Sequence, residues 1–340
     1  MNKLILTLVV CLTGMTVVAQ AQKPVDSLRF FLDEDLIDIS LTTDLRKLQN
    51  EKGSEVYQDG SMVARFPDST VITEVVKVAA RGHFRRENCS IPPMLLNFRK
   101  QGSPLNNLGK LKLVIGCGNS SEDEQLILKE YLAYKIYNLL EDKSFRVRLL
   151  RMNYRDTRNK VKPFSQYAFL IEDDADMAKR NKCKKMEDRQ LPTESTNRAL
   201  MTKVAVFQYM ISNGDWSVPN NHNIRLIYPT AAGSLACAVP YDFDHSGFVN
   251  AGYALPNEIL GTETVKERVY RGFPRTMEEL EIVFDVFRKE KENINKLINN
   301  FTLLKERTRK DLVSYLNEFY QTINDRKKAQ SIFVDNARTK

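Results

Sequence analysis

Short apolar and β-branched runs, each bounded by turn residues, fill positions 35–172 and constrain the fold more strongly than any other feature of the sequence. Runs of about four to eight such residues between Gly, Pro, Asn or Asp are typical of β-strands. The clearest are "LIDISL", "VITEVVKVAARG", "MLLNFRK", "LKLVIGC", "FRVRLLRMNY" and "SQYAFLIE". The first half of the chain is therefore predicted to build a sheet.

Helical periodicity interrupts this half once and dominates the end of the chain. The stretch "SEDEQLILKEYLAYKIYNLL" repeats Leu and Ile at helical spacing, and Ser121 is its predicted N-cap. Further helices are predicted over 197–211 and from Thr276 onward, with two short strands, "NIRLIY" and "SLACAVPYDF", between them. Positions 173–196 are polar and charged, which predicts a connector.

These patterns together predict an α+β protein of two lobes. Residues 22–172 are expected to form a β-rich N-terminal lobe that holds one helix. Residues 173–340 are expected to form a mainly helical C-terminal lobe, with a hinge near Glu172. A ligand would then bind between the lobes.

The first 21 residues have the three parts of a secretory signal peptide. Lys3 precedes an apolar stretch over 4–18, and Ala19-Gln20-Ala21 supplies a small-residue cleavage site. No later stretch approaches the roughly 18 apolar residues that a spanning helix needs. The chain is therefore predicted to be exported, either to a periplasm or outside the cell, without a membrane anchor.

Charge and cysteine content narrow the classes of partner. The formal net charge is +8, and basic residues alternate with acidic ones instead of forming a stripe, so nucleic acid is not an expected partner. Beyond the signal, the cysteines lack the spacing of a zinc site. They allow two disulfides in three pairings, or buried free thiols, and both readings stay open. These cysteines are Cys89, Cys117, Cys183 and Cys237.

Two acidic turns in the second half carry the chemistry, in "SNGDWSVPNNHNIRLI" and "VPYDFDHSG". Asp215 follows a predicted helix, Asn223 begins a predicted strand, and Asp242 ends the next one. In phosphoryl-transfer sites, this order places an Asp base beside an Asn and an Asp that hold Mg²⁺. Asp215 is therefore the predicted catalytic base. Asn223 and Asp242 are predicted metal ligands, joined by Asp244.

Other readings of these residues remain open. Asn220 has the spacing of a protein-kinase metal Asn, although Asn223 is preferred because a strand follows it directly. The letters "DFDHSG" match the start of an EF-hand loop, but the twelfth position is Tyr253 and a strand precedes the motif, so the EF-hand is rejected. A structural ion site or ordinary turns around Asp215 and Asp242 are the simpler alternatives.

Four segments resemble the CotH-like family of atypical secretory kinases, first known from spore-coat proteins. They are "ARGHFRRENCSIPPMLLNFRK", "YAFLIEDDADMAKR", "SNGDWSVPNNHNIRLI" and "VPYDFDHSG", in the family's order, and they cover about residues 70–250. The resemblance implies a two-lobed protein-kinase-like fold, ATP with Mg²⁺ or Mn²⁺, and phosphorylation of a protein hydroxyl. By position, it implies the same roles for Asp215, Asn223 and Asp242, and it matches His222 to the family's His.

One segment departs from the family pattern. Where the family carries a lysine on the ATP side, this chain has Pro93 and Met94. A phosphate site needs a cation, so Lys112 or Arg81 is the predicted replacement, with Arg85 as a further choice.

The lost lysine leaves two functional hypotheses. The first is a kinase that transfers the γ-phosphoryl group of ATP to a hydroxyl. The second is a catalytically inactive relative that binds a nucleotide, a metal or a partner protein in the same cleft. Glu172, at the end of a predicted strand, is expected either to line the nucleotide cleft or to be a solvated hinge carboxylate.

Overall fold

Seven strands of the protein close into a barrel. The computed structural model describes residues 24–50, 56–82, 84–186, 190–256 and 258–338, so the predicted signal peptide lies outside the described residues. The barrel strands are β1 (Ile37–Thr43), β2 (Gln58–Arg65), β3 (Val71–Ala80), β4 (Met94–Asn97), β5 (Lys110–Ile115), β6 (Val147–Asp156) and β7 (Phe164–Ile171). Their order around the barrel is β1-β2-β3-β4-β5-β7-β6.

The closure of this sheet contradicts the predicted two-lobed protein-kinase-like fold. Strand β1 pairs in parallel with β6, from Ile37 opposite Leu150 to Thr43 opposite Asp156, whereas all the other neighbouring pairs in the barrel are antiparallel. The first half is therefore a closed mixed barrel and not the open sheet of a kinase lobe. Closure pairs the two edges that an open sheet would expose. Local periodicity carries no information about a pairing across more than a hundred residues.

Strand β2 was missed by the sequence analysis. Its sequence, QDGSMVAR, alternates buried residues such as Met62 and Ala64 with exposed polar ones. Two buried apolar residues and a glycine give a weak strand pattern. Pairing with β1 on one side and β3 on the other makes it a strand.

Four helices precede or interrupt the barrel strands in the described chain, and five further helices and a small sheet follow them. The helices are α1 (Ser27–Phe30), α2 (Leu45–Asn50), α3 (Phe84–Asn88), α4 (Ser121–Leu140), α5 (Asp174–Arg180), α6 (Arg198–Met210), α7 (Met277–Asn300), α8 (Glu306–Asn324) and α9 (Arg326–Gln330). The sheet has the antiparallel order β10-β9-β8, from β8 (Cys183–Lys185), β9 (Ile224–Pro229) and β10 (Cys237–Pro240). The predicted connector thus contains α5 and β8.

Helix α4 joins the two parts of the molecule. Ser120, one residue before the predicted N-cap, caps it in a reciprocal arrangement with Asp123. Its apolar residues belong to the core of the helical region, together with Leu149 and Phe169 from the outer face of the barrel. The neighbours Leu150 and Leu170 face the separate core inside the barrel, as the alternation of strand side chains requires. Among the described residues, no helix is long and apolar enough to cross a membrane.

Candidate functional site

A pocket of about 310 Å³ lies between the barrel and the β9–β10 hairpin. The structure brings six of the predicted site residues to its walls: Arg81, Lys112, Asp215, Asn223, Asp242 and Asp244. Glu172 does not line this pocket. It is 3% exposed, pairs with Arg180 at 2.8 Å, and accepts a hydrogen bond from the backbone N–H of Arg146. The carboxylate of Glu172 therefore fastens α5 to the end of β7.

The turn after α6 presents Asp215 to the pocket. Ser212 has a φ of +51°, which turns the chain away from the helix, and its hydroxyl donates to the carbonyl groups of Val265 and Glu267. The Asn213 side chain accepts a hydrogen bond from the backbone N–H of Asp215 at 3.0 Å, an Asx turn. The side chain of Asp215 is 39% exposed, so a ligand can reach it.

Two neighbours from the start of β9 hold the Asp215 carboxylate. His222 Nε2 lies 2.7 Å from Oδ1, and Asn223 Nδ2 donates to Oδ2 at 2.9 Å and to the Asp215 carbonyl at 2.8 Å. Burial is the largest single effect and acts to raise the pKa of Asp215, but the hydrogen bonds from His222 and Asn223 and the charges of His222 and His245 together outweigh it, so the pKa is lowered. The hydrogen bond between Asp215 and His222 raises the pKa of His222. Asp215 is thus ionised and oriented at neutral pH, with further lone pairs for a ligand hydroxyl.

The end of β10 places Asp242 beside this pair. Asp242 has a φ of +63°, a left-handed conformation that Asp tolerates better than most residues. Its backbone N–H donates to the Tyr134 hydroxyl of α4 at 2.8 Å. The N–H of Tyr241 donates to the carbonyl of Asn223 at 3.1 Å, so the strand that delivers Asp242 is fastened to the one that delivers Asn223.

Tyr134 offers a matched test of this arrangement. Replacing Tyr134 by Phe removes the acceptor for Asp242 N–H, and we expect the free energy of unfolding to fall by about 1–3 kcal/mol. Tyr137→Phe is the control, because Tyr137 lies on the same helix, is equally 1% exposed, and its hydroxyl has no hydrogen-bond partner among the described residues. Denaturant unfolding of both variants measures the difference. Equal losses in the two would contradict the assigned role of Tyr134.

Two carboxylates, Asp242 and Asp244, lie at the floor of the pocket. A third, Glu130 of α4, is 1% exposed and does not line the pocket, but the charges of both aspartates act on it. Burial, followed by the charges of the neighbouring carboxylates, raises the pKa of Glu130 well above its usual range, and the pKa of Asp242 is raised for the same reasons. Arg85 lies 3.9 Å from both Glu130 and Asp244 and offsets part of this repulsion.

Sequence reasoning missed Glu130 as a site residue. A signal was present, because Glu130 lies four residues from both Leu126 and Tyr134 and so falls on the apolar face of the helix. A charged residue on a buried face is rare without a partner. The partners, however, come from distant segments of the chain, which no helical pattern indicates.

The oxygen atoms at this floor suit a divalent cation. In the part of the chain that the structure describes, no group of three or more His, Cys, Asp or Glu side chains converges as a metal site. The floor instead offers Asp242, Asp244 and the amide oxygen of Asn223, whose nitrogen is already engaged with Asp215. Mg²⁺ is commonly bound by one or two carboxylates together with substrate phosphates. Crowded carboxylates with raised pKa values are relieved by such an ion.

Basic side chains line other parts of the pocket. Arg81 and Arg85 reach the pocket from the segment after β3, and Lys112 and Arg225 from β5 and β9. Lys112 and Arg225 both pair with Asp174, at 2.9 and 3.0 Å, and both lie over the Tyr241 ring. Burial lowers the pKa of Lys112, although Asp174 acts against that effect. The pocket therefore has an acidic floor and a basic wall, as a metal-bound polyphosphate requires.

A disulfide fastens the segment that carries the two arginines. Cys89 is bonded to Cys117, which joins the end of α3 to the turn before α4, while Cys183 and Cys237 are free and buried. Arg85 lies one helical turn before Cys89 and donates to the Ile115 carbonyl. The disulfide therefore holds Arg85 against the carboxylates of the pocket floor.

Removal of this disulfide is expected to lower both stability and ligand affinity. The bond closes a loop with a sequence separation of 28, so the Cys89→Ser/Cys117→Ser variant should lose about 2–5 kcal/mol of unfolding free energy. Its affinity for ATP with Mn²⁺ should also fall, because Arg85 is released. Thermal unfolding and calorimetry measure the two effects. A Cys183→Ala/Cys237→Ala variant is the control, and its response to a reducing agent should match that of the wild type.

A second cavity reaches Asp215 from the other side. It has a volume of about 390 Å³ and shares Asp215 and His245 with the first pocket. Its outer wall carries Leu255 and Ile259, whose exposed fractions are 78% and 95%. The carboxylate of Asp215 thus stands where the two cavities meet, and two ligands can approach it from opposite sides.

The fold and the site define a barrel-and-helix protein with a two-sided cleft, acidic on its floor and basic on its wall. Comparison of the chain with models of protein families and with curated proteins finds no match. The function is therefore argued from the cleft.

Proposed function

We propose that this protein is a kinase that transfers the γ-phosphoryl group of ATP, bound with Mg²⁺ or Mn²⁺, to a hydroxyl acceptor. One observation carries the proposal: Asp215, Asn223, Asp242 and Asp244 line the same pocket as Arg81, Arg85, Lys112 and Arg225. Phosphoryl transfer is catalysed mainly by positioning and by neutralising charge on the phosphates, and it needs both sets of groups together. The ordered resemblance to the CotH-like family adds to the proposal.

The closed barrel is no obstacle, because the same chemistry recurs on unrelated folds. What the reaction requires is a site geometry, and here the turn after α6, the start of β9 and the end of β10 supply it. The β9–β10 hairpin connects Asn223 to Asp242 over a short distance along two paired strands. The hairpin therefore sets the spacing between Asn223 and Asp242, and this spacing does not depend on the fold of the first half of the chain.

In this proposal, Asp215 receives the proton of the acceptor hydroxyl. Its carboxylate is held by His222 and Asn223, so it is oriented before the acceptor arrives. The acceptor enters through the second cavity, and the phosphates lie in the first. A protein hydroxyl next to an apolar side chain suits the exposed Leu255 and Ile259 of that cavity.

Asp242, Asp244 and Asn223 hold the divalent cation, which neutralises charge on the phosphate oxygens when it is bound. Arg81 takes the place of the lysine that Pro93 and Met94 displace, because it lies at the pocket and acts on the charge of Asp242. Arg85 is committed to Glu130 and Asp244 and supports these carboxylates. Lys112 is committed to Asp174, so its contribution to phosphate binding is smaller than the sequence analysis predicted.

The test combines binding with transfer. ATP with Mn²⁺ should raise the melting temperature of the protein, and γ-labelled ATP should transfer its label to protein hydroxyls, with casein as the added acceptor. The Asp311→Asn variant, altered at an exposed carboxylate, should behave as the wild type. Absence of a thermal shift with ATP and Mn²⁺ would contradict the proposal.

A nucleotide-binding protein without kinase activity is the second candidate. The observation that favours it is the pairing of both Lys112 and Arg225 with Asp174, which withdraws two cations from the phosphates. Such a protein would give the thermal shift and no label transfer. The proposed kinase gives both.

A further inference from the structure

A third cavity lies at one end of the barrel, apart from the two cavities that meet at Asp215. It has a volume of about 650 Å³, and its walls come from α1, the turn between β2 and β3, and the beginning of β6. The turn between β2 and β3 and the beginning of β1 lie at the same end of the barrel. Helix α1 covers that end. Its last residue, Phe30, and the following residue, Phe31, are buried in the barrel core.

Arg148 is the unusual residue of this cavity. It lies two positions before Leu150, whose side chain faces the barrel core, so strand alternation directs Arg148 to the same interior side. It is 3% exposed, and its guanidinium carbon lies 5.7 Å from the centre of the Phe30 ring. Its Nε and Nη1 atoms have no hydrogen-bond partner among the described residues.

A buried guanidinium with unused donors calls for an anionic oxygen group. Each unpaired buried donor costs about 1–3 kcal/mol, and more when it is charged. Buried Arg is rare unless it is paired. The planar guanidinium matches a carboxylate through two parallel hydrogen bonds. The inner part of the cavity is therefore complementary to a carboxylate.

The rim of the cavity has the opposite charge. Three exposed aspartates lie at the rim, Asp26, Asp33 and Asp68, and the basic residue Arg29 lies beside them. Burial lowers the pKa of Arg148. The negative charge of Asp33 acts to raise this pKa, although the two side chains do not form an ion pair. A ligand that carried only negative charge would be repelled on entry. A ligand with a positive group at its outer end would be attracted.

Apolar side chains form part of the remaining lining of the cavity. Phe30 and Ile72 are buried, and Phe66 and Val25 are half-buried. The volume lies in the range of small-ligand sites, which combine apolar walls with a few placed polar groups.

We propose that this barrel-end cavity binds a small zwitterion with an apolar body, an apolar amino acid or short peptide, whose carboxylate pairs with Arg148 and whose ammonium group lies at the aspartate rim. The two sources share one chemistry and differ in length. The site is independent of the proposed kinase activity, since it shares no wall residue with the phosphate pocket.

Isothermal titration calorimetry of the purified protein tests the proposal with four probes. L-leucine and leucyl-leucine carry both charges, leucinamide lacks the carboxylate, and 4-methylpentanoate lacks the ammonium group. At least one zwitterion should bind, and the matching single-charge probes should bind at least about tenfold more weakly. The tighter of the two zwitterions identifies the source. Binding of neither zwitterion, or equal binding of 4-methylpentanoate and leucine, would overturn the proposal.

Variants locate the binding. Arg148→Met should abolish binding without loss of stability, because it removes a buried charge whose donors are unused. Arg155→Met is the control, because Arg155 lies on the exposed face of the same strand. Arg148→Lys keeps the charge but not the two parallel donors, and it should weaken binding about tenfold even if the Met variant fails to fold. Asp33→Asn should weaken leucine but not 4-methylpentanoate. Unchanged affinity in both Arg148 variants would refute the assignment.

Discussion

Replacement of Asp215 by Asn is expected to lower phosphoryl transfer by about 10²–10⁴-fold while the affinity for ATP with Mn²⁺ stays almost unchanged. The substitution keeps the shape of the side chain, and its amide oxygen still accepts a hydrogen bond from Asn223 or His222. It removes only the capacity to take a proton from the acceptor hydroxyl. Because Asp215 is not among the residues proposed to hold the cation, binding and transfer should separate in this variant.

Single-turnover transfer from γ-labelled ATP and calorimetry with ATP and Mn²⁺ measure the two quantities. Asp311→Asn, at an exposed position on α8, is the matched control and should change neither. A parallel loss of transfer and binding in the Asp215 variant would place Asp215 among the binding residues instead. Full transfer in this variant would exclude it as the base.

Replacement of Asp242 by Asn should weaken cation-dependent ATP binding and at the same time stabilise the protein. Burial, followed by the charge of Asp244, raises the pKa of the Asp242 carboxyl group. A carboxyl group whose pKa is raised in the folded state destabilises that state when it is ionised at neutral pH. A neutral amide removes this repulsion, and we expect a gain of about 0.5–2 kcal/mol in unfolding free energy.

The loss of ATP affinity with Mn²⁺ should be at least about tenfold, because a ligand of the cation is removed. Asp244→Asn provides the contrast. Asp244 accepts a hydrogen bond from the Tyr253 hydroxyl at 3.0 Å and faces Arg85, so its neutral variant should lose cation binding and lose stability as well. Thermal unfolding with and without Mn²⁺ measures both. A destabilised Asp242 variant would show that this carboxylate is a structural residue.

The site was more predictable than the fold. Asp215, Asn223 and Asp242 were identified from a helix end, a strand start and a strand end, and all three line one pocket. Those signals are local, because turn geometry and strand pairing in a hairpin depend on neighbouring residues. Glu130 was not assigned, because its partners Asp242, Asp244 and Arg85 come from segments far from α4 in the sequence.

Amino-acid sequence alone determined the broad pattern of elements, because the periodicity of apolar residues is local: a β-rich half, one long helix within it, and a helical end. Only the tertiary structure decided that the strands close into a barrel through the parallel pairing of β1 with β6. It also decided that Glu172 pairs with Arg180 instead of lining the pocket, and that Nε and Nη1 of the buried Arg148 have no hydrogen-bond partner among the described residues. The reason is physical, because pairing, burial and charge compensation depend on contacts between segments that the sequence keeps far apart.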